Sequence, residues 1–184
     1  MRLFVGIPIH AAPGLAGVVR DLEALVPGAR LVAPRKRHLT LRFLGEMPDP
    51  APVEAALREG LKDAAPLEGA LLGVGGFPDP RRARVAWAGV AAEGLGEVAQ
   101  KVHAATKELG IPESHPFAAH LTLARLPEPQ DLSAWCARHA GQRWGTFAAG
   151  SVVLYRSRLG RTDGSSYEEL ATIPLGRGPA PPQP

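Results

Sequence analysis

The sequence predicts an α+β fold with mainly antiparallel sheet, and three observations carry that prediction. Strand-like and helical apolar periodicities interleave along the 184 residues. Hairpin signals occur beside them, as at Arg161-Thr162-Asp163-Gly164. Finally, the tetrapeptide His38-Leu39-Thr40-Leu41 recurs 82 residues later as His120-Leu121-Thr122-Leu123, near the centres of the two halves of the chain. The repeat points to two pseudo-symmetric lobes with outer helices, each offering one motif strand to a cleft between them. Residues 1–175 are expected to form a single bilobal domain, followed by a proline-rich tail over 176–184.

The elements follow in order. Met1 to Ile9 alternates like a strand, and Pro8 breaks it. Pro13 to Leu25 places Leu15, Val18, Val19, Leu22 and Leu25 on one helical stripe, which Pro27-Gly28 ends. Leu31-Val32 is a short strand, and His38 to Leu44 a strand stopped by Gly45. Pro52 to Ala65 reads as helix, and Leu67 to Phe77 as a strand with glycine interruptions. The prolines from Phe77 to Arg82 mark a turn. Ala83 to Val90 is a strand, and Leu95 to Leu109 a helix ended by Gly110 and Pro112. His120 to Leu126 is the second motif strand. Leu132 to His139 is helical, and one long strand runs from Phe147 to Ser157. The last strand is Tyr167 to Thr172, and the tail after Gly176 is too proline-rich to pack.

Bulk properties narrow the classes of protein. No apolar run approaches membrane-spanning length. The opening residues read as a first strand rather than a signal peptide, so cytoplasmic residence and no membrane partner are expected. The single cysteine, Cys136, cannot make an internal disulfide and fits the buried side of its helix beside Leu132 and Trp135. The net charge of +3 and a pI near 9.4 favour anionic partners only modestly.

A strand alternates faces, so His38 and Thr40 share one side, and so do His120 and Thr122, while the leucines face the core. Two histidines across a cleft suit concerted acid–base catalysis, because imidazole titrates near neutrality. The threonine hydroxyls add donors suited to the oxygens of a phosphodiester. Five residues beyond each histidine stand Phe43 and Arg125, equivalent under the pseudo-two-fold. A ring opposite a guanidinium could sandwich a nucleobase, or Arg125 could pair with phosphate. Strict alternation turns both away from the cleft, so this requires a twist or bulge. Arg42 shares the His38 face by alternation and is expected to reach the cleft. His10, His103, His115 and His139 lack any partner pattern. Each motif brings one histidine and no carboxylate, so a metal site is not expected.

These residues resemble the RNA 2′,3′-cyclic phosphodiesterases of bacteria and archaea, also called 2′-5′ RNA ligases, of the two-histidine phosphoesterase superfamily. The resemblance covers nearly the whole chain. It includes Arg2 to Pro8, His38 to Gly45, Phe77 to Val90 with Arg84-Val85-Ala86-Trp87-Ala88-Gly89-Val90 its clearest part, Phe117, His120 to Arg125, Leu154-Tyr155-Arg156-Ser157 and Tyr167. It implies metal- and cofactor-free opening of a 2′,3′-cyclic phosphate at an RNA end to a 2′-phosphate, and a 2′-5′ linkage when a 5′-hydroxyl replaces water. It implies that His38 is the proton donor and His120 the proton acceptor. RNA ends or oligonucleotides with a 2′,3′-cyclic phosphate are the implied partners, with no obligatory protein partner. Ala119 stands where the family often has proline, and His115-Pro116 where it often has a basic residue. Another cyclic phosphate nucleotide as substrate, or a non-catalytic RNA-binding module, are the alternatives.

Overall fold

The computed structural model describes residues 1–10, 12–112, 116–158 and 166–176. Its strands are β1 (Arg2–Pro8), β2 (Arg30–Leu31), β3 (His38–Glu46), β4 (Leu67–Phe77), β5 (Ala83–Ala92), β6 (His120–Gln130), β7 (Arg143–Ala149), β8 (Ser151–Arg158) and β9 (Ser166–Pro174). Its helices are α1 (Leu15–Leu25), α2 (Ala51–Leu61), α3 (Leu95–Thr106) and α4 (Ser133–Arg138). The predicted turn at Arg161 to Gly164, His115 and the tail beyond Gly176 lie outside the described residues.

Among the described residues, nine strands join one antiparallel sheet in the order β7-β4-β5-β6-β3-β1-β8-β9, with β2 against β6. The two motif strands stand at its centre, and one registered pair joins them, Leu39 with Leu121. Both leucines are fully buried, so the joint lies in the core while the residue before each, a histidine, faces the other way. Outside the joint, β1 flanks β3 and β5 flanks β6.

The expected long strand over 147–157 is two strands separated by Gly150. β7 pairs with β4 at one edge of the sheet, and β8 pairs with β1 toward the other. A one-residue connection can link them only if the sheet curls until these regions meet. The two halves of the sheet are therefore not the two halves of the sequence: β1, β3, β8 and β9 form one, β4 to β7 the other.

The helices cover the leucine face. α2 and α3 pack on each other, with α2 against β9 and α3 against β3. On α1, Leu15, Val18 and Leu22 are buried, but Leu25 is 50% exposed. The stripe continues one turn on through buried Val26 instead, four residues after Leu22. α1 follows β1 in sequence yet docks with the other half, where the Trp135 indole on α4 donates to Val18 O at 3.3 Å. Cys136 is half-buried at the edge of the main core. Among the described residues, no helix is long and apolar enough to cross a membrane.

Gly14 lets α1 approach β7, since a Cβ there would lie 2.0 Å from the backbone oxygen of Trp144. A backbone cannot yield as a side-chain tip can. Gly14→Ala is expected to cost roughly 1–3 kcal/mol of stability by overpacking, measured by chemical denaturation. An unchanged midpoint would show that α1 docks more loosely.

Candidate active site

One extra residue just past the motif in each central strand, among several irregularities of register, shapes the site. Along β1, Val5 opposes Arg42 and Gly6 opposes Thr40, which leaves Leu41 unopposed. Along β5, Ala86 opposes Ala124 and Trp87 opposes Thr122, which leaves Leu123 unopposed. Each is a β-bulge, and each reverses the alternation beyond it. Leu41 and Arg42 are consecutively buried, as are Leu123 and Ala124. Phe43, 58% exposed, and Arg125, also exposed, thereby return to the face of His38, Thr40, His120 and Thr122. The structure brings these six predicted residues onto one concave face.

Arg42 is the exception and corrects the expectation from simple alternation. The bulge turns it to the helix side, where it is 2% exposed. Its guanidinium donates to His103 O at 2.7 Å, Thr106 Oγ1 at 3.0 Å and Ile111 O at 3.4 Å. It fastens β3 to the end of α3 and does not reach the cleft.

Each histidine is held by its own strand. His38 Nδ1 donates to Lys36 O at 2.9 Å, and His120 Nδ1 donates to Ala118 O at 2.7 Å. In both cases the acceptor is the carbonyl two residues earlier. A carbonyl can only accept, so each neutral ring carries its proton on Nδ1 and leaves Nε2 as a lone-pair acceptor. Neither Nε2 bonds to a protein group among the described residues, and neither is sealed from solvent. The hydroxyls of Thr40 and Thr122, half-buried beside them, likewise bond to no described protein group.

Aromatic rings wall both histidines. His38 lies against Phe4 (centroids 4.8 Å apart), Tyr167 (4.9 Å, edge-on) and Tyr155 (5.9 Å). His120 lies against Phe77 (4.9 Å, edge-on) and Trp87 (6.4 Å). Trp87 in turn rests on Gly75, where any Cβ would fall 2.1 Å from the indole. Tyr155 and Phe77 hold equivalent places in the two halves, opposite Phe4 and Val85. Residue order alone does not assign Phe4, Tyr155, Tyr167 and Trp87 to the site. They lie on strands other than the motif strands, and only the register aligns them with the histidines.

Burial pushes both imidazoles below the ordinary value of about 6.5, and the bonds to Lys36 O and Ala118 O offset this only partly. The charge of Arg125 lowers both further, and those of His120 and His10 also lower His38. Without ligand, burial and the charge of Arg125 favour the neutral form of both rings. Burial, and secondarily the Glu169 carboxylate, pushes the Tyr155 phenol up, so it remains a neutral donor.

A surface hollow lies elsewhere on the sheet, over β4, β5 and β7, lined by Ala70, Leu72, Ala91 and Phe147 among others; neither histidine lines it. Among the described residues, no three His, Cys, Asp or Glu side chains gather where a metal ion could be held.

The fold and this paired site define a class: a curled antiparallel sheet with two His-x-Thr strands presenting matched imidazoles to one cleft. The chain belongs to the 2′-5′ RNA ligase superfamily, whose profile matches residues 12–161. It is 35% identical over 179 residues to a protein of Archaeoglobus fulgidus named RNA 2′,3′-cyclic phosphodiesterase, covering 92% of this chain and 98% of that one. The crystal structure of TT0787 of Thermus thermophilus superposes with a TM-score of 0.78 at 31% identity, covering 98% of this chain and 100% of that one. Escherichia coli LigT complexed with 3′-AMP superposes with a TM-score of 0.67 at 25% identity, covering 95% and 97%.

Titrated by NMR in the free protein, both His38 and His120 are expected to show midpoints below about 6.5, and Arg125→Ala should raise both. Unmoved midpoints would place Arg125 outside the cleft. Arg42→Ala is expected to lower stability by roughly 2–4 kcal/mol, the range for losing buried charge-assisted hydrogen bonds, measured by urea unfolding. A loss below about 0.5 kcal/mol, within the usual range for surface substitutions, would show that Arg42 does not fasten α3.

Proposed function

We propose that this protein opens RNA-terminal 2′,3′-cyclic phosphates to 2′-phosphates by metal-independent acid–base catalysis between His38 and His120. One observation carries the reading. The two imidazoles are held in the same tautomer by the same local bond, and both leave Nε2 accessible on one concave face. The name of the Archaeoglobus relative supports the substrate, and the 3′-AMP complex of LigT supports a site of nucleotide size.

In this mechanism water attacks phosphorus from the side opposite the 3′ oxygen. His120 Nε2 takes the water proton as the new P–O bond forms. The bond from phosphorus to O3′ breaks, and His38 Nε2 returns a proton to O3′. The product is a 2′-phosphate beside a free 3′-hydroxyl. The pseudo-symmetric geometry does not distinguish the two roles; family likeness makes His38 the acid and His120 the base. A 5′-hydroxyl in place of water would give the 2′-5′ linkage.

His38 must be protonated to act as acid, yet burial and its cationic neighbours oppose this in the free protein. The substrate supplies the remedy. Its phosphate carries a negative charge, which favours imidazolium when it sits between the rings. Thr40 and Thr122 donate to the non-bridging oxygens, and their weight grows as charge builds there. Arg125 adds charge stabilisation, and Phe43 offers its exposed ring to a base.

The test is an oligonucleotide ending in a 2′,3′-cyclic phosphate, incubated with excess chelator. A 2′-phosphate product is expected, with kcat falling roughly 10²–10⁴-fold in His38→Ala and in His120→Ala. The pH profile of kcat/KM should be bell-shaped, with its maximum below about 6.5 because both free-enzyme values are lowered. Near-normal turnover in either variant, or a 3′-phosphate product, would refute the mechanism.

A further inference from the structure

The two rims of the cleft are not alike. Beside β3, Ile111 N donates to Leu44 O at 3.1 Å. Ile111, whose side chain lies over Gly45, is 52% exposed and Phe43 of the same strand 58%, so this rim carries two exposed apolar side chains. Beside β6 stands β2, where Arg30 is the direct cross-strand partner of Arg125. Direct antiparallel partners share a face, with Cβ atoms about 4.5–5.5 Å apart. Arg30 thus stands on the cleft face of the sheet, beside Arg125 and in line with Val85 and Phe77 across β5 and β4.

Like charges placed directly opposite each other destabilise a sheet, and nothing among the described residues neutralises the pair. Both arginines are exposed, and among the described residues neither makes an ion pair or a side-chain hydrogen bond. Among the described residues, some exposed arginines pair with acids, as Arg58 does with Glu54 at 2.7 Å and Arg158 with Glu168 at 2.8 Å, and others stand alone in solvent; Arg30 and Arg125 differ from both in standing directly opposite each other. Two adjacent, uncompensated guanidiniums form a fork for an anion. The field of Arg125 is felt at both histidines, which ties one end of the fork to the reacting phosphate. Arg30 lies one strand further out.

We propose that Arg30, together with Arg125, holds the phosphate on the 5′ oxygen of the terminal nucleoside, so that the site favours RNA ends over free nucleoside 2′,3′-cyclic phosphates. This rests on the cyclic-phosphate reading above and names the feature of the substrate that the cleft selects. The terminal base lies toward Phe43, and the RNA backbone leaves over β6 and β2. The fork requires only that one phosphate, so a 5′-phosphorylated mononucleotide should satisfy it as well as a dinucleotide does.

The test compares kcat/KM on adenosine 2′,3′-cyclic phosphate, its 5′-phosphorylated form, and the dinucleotide ApA ending in a 2′,3′-cyclic phosphate. The unaltered protein should favour the latter two by roughly tenfold, about the worth of one exposed charge-assisted contact. Arg30→Ala should bring both ratios toward one, and Arg30→Glu should take them below one. The salt dependence of kcat/KM on the dinucleotide should also weaken in Arg30→Ala. Ratios unchanged in both variants, or an equal loss on all three substrates, would overturn the proposal. If only the dinucleotide were favoured, a second nucleoside would be the feature selected, and the proposal would also fail. No turnover of any of the three by the unaltered protein would instead overturn the cyclic-phosphate reading itself.

Discussion

The paired bulges at Leu41 and Leu123 are the constraint on which the site depends. A strand offers every second residue to one face. Without an interruption, the residues five beyond each histidine would be buried with the leucines. The residue inserted just past each motif restores Phe43 and Arg125 to the histidine face and sends Arg42 and Ala124 into the core. The device is repeated in both halves, so it shapes the cleft symmetrically. The contents are then varied: a ring on one side, a guanidinium on the other.

The same economy governs the imidazoles. A single bond to the carbonyl two residues back selects the tautomer and aims Nε2, with no second side chain needed to orient the ring. Aromatic walls supply the burial that favours the neutral form of both rings when the cleft is empty. An empty site of two neutral bases is not yet an acid–base pair. It becomes one when an anion enters, so the phosphate helps to set the protonation state that acts upon it. The half-buried histidines also connect pH to folding. Their neutral forms are favoured in the fold, so that contribution is complete above about pH 6.5 and is lost as pH falls through their lowered values.

The architecture divides labour between its halves without dividing the chain. The crossings through α1 and at Gly150 interleave the two, which leaves the slender contact at Leu39 and Leu121 supported from outside by helices and return strands. Arg42 belongs to this support, tying β3 to α3. The rims show where symmetry was given up: Ile111 beside one motif strand, Arg30 beside the other.

Much of this was legible in the residue order. The repeated His-Leu-Thr-Leu, with apolar leucines at period two, specified two core strands with a histidine and a hydroxyl on one face, since alternation is a local property of extended backbone. The helical stripe from Leu15 to Leu22 and the strands around the turn at Phe77 to Arg82 were equally local. Pairing was not. Gly150 as a crossing point, the partnership of Arg30 with Arg125, and the rings of Phe4, Tyr155, Tyr167 and Trp87 around the histidines depend on register between strands distant in sequence. Arg42 marks the boundary most sharply: its neighbours alone predict the cleft, and only the bulge opposite β1 turns it to α3. Residue order alone was enough for the chemistry of the two motif strands, because side-chain direction over a few residues follows from backbone geometry. Which other groups meet that chemistry was settled in the folded sheet, because an unpaired residue in one strand is defined by its partner in another.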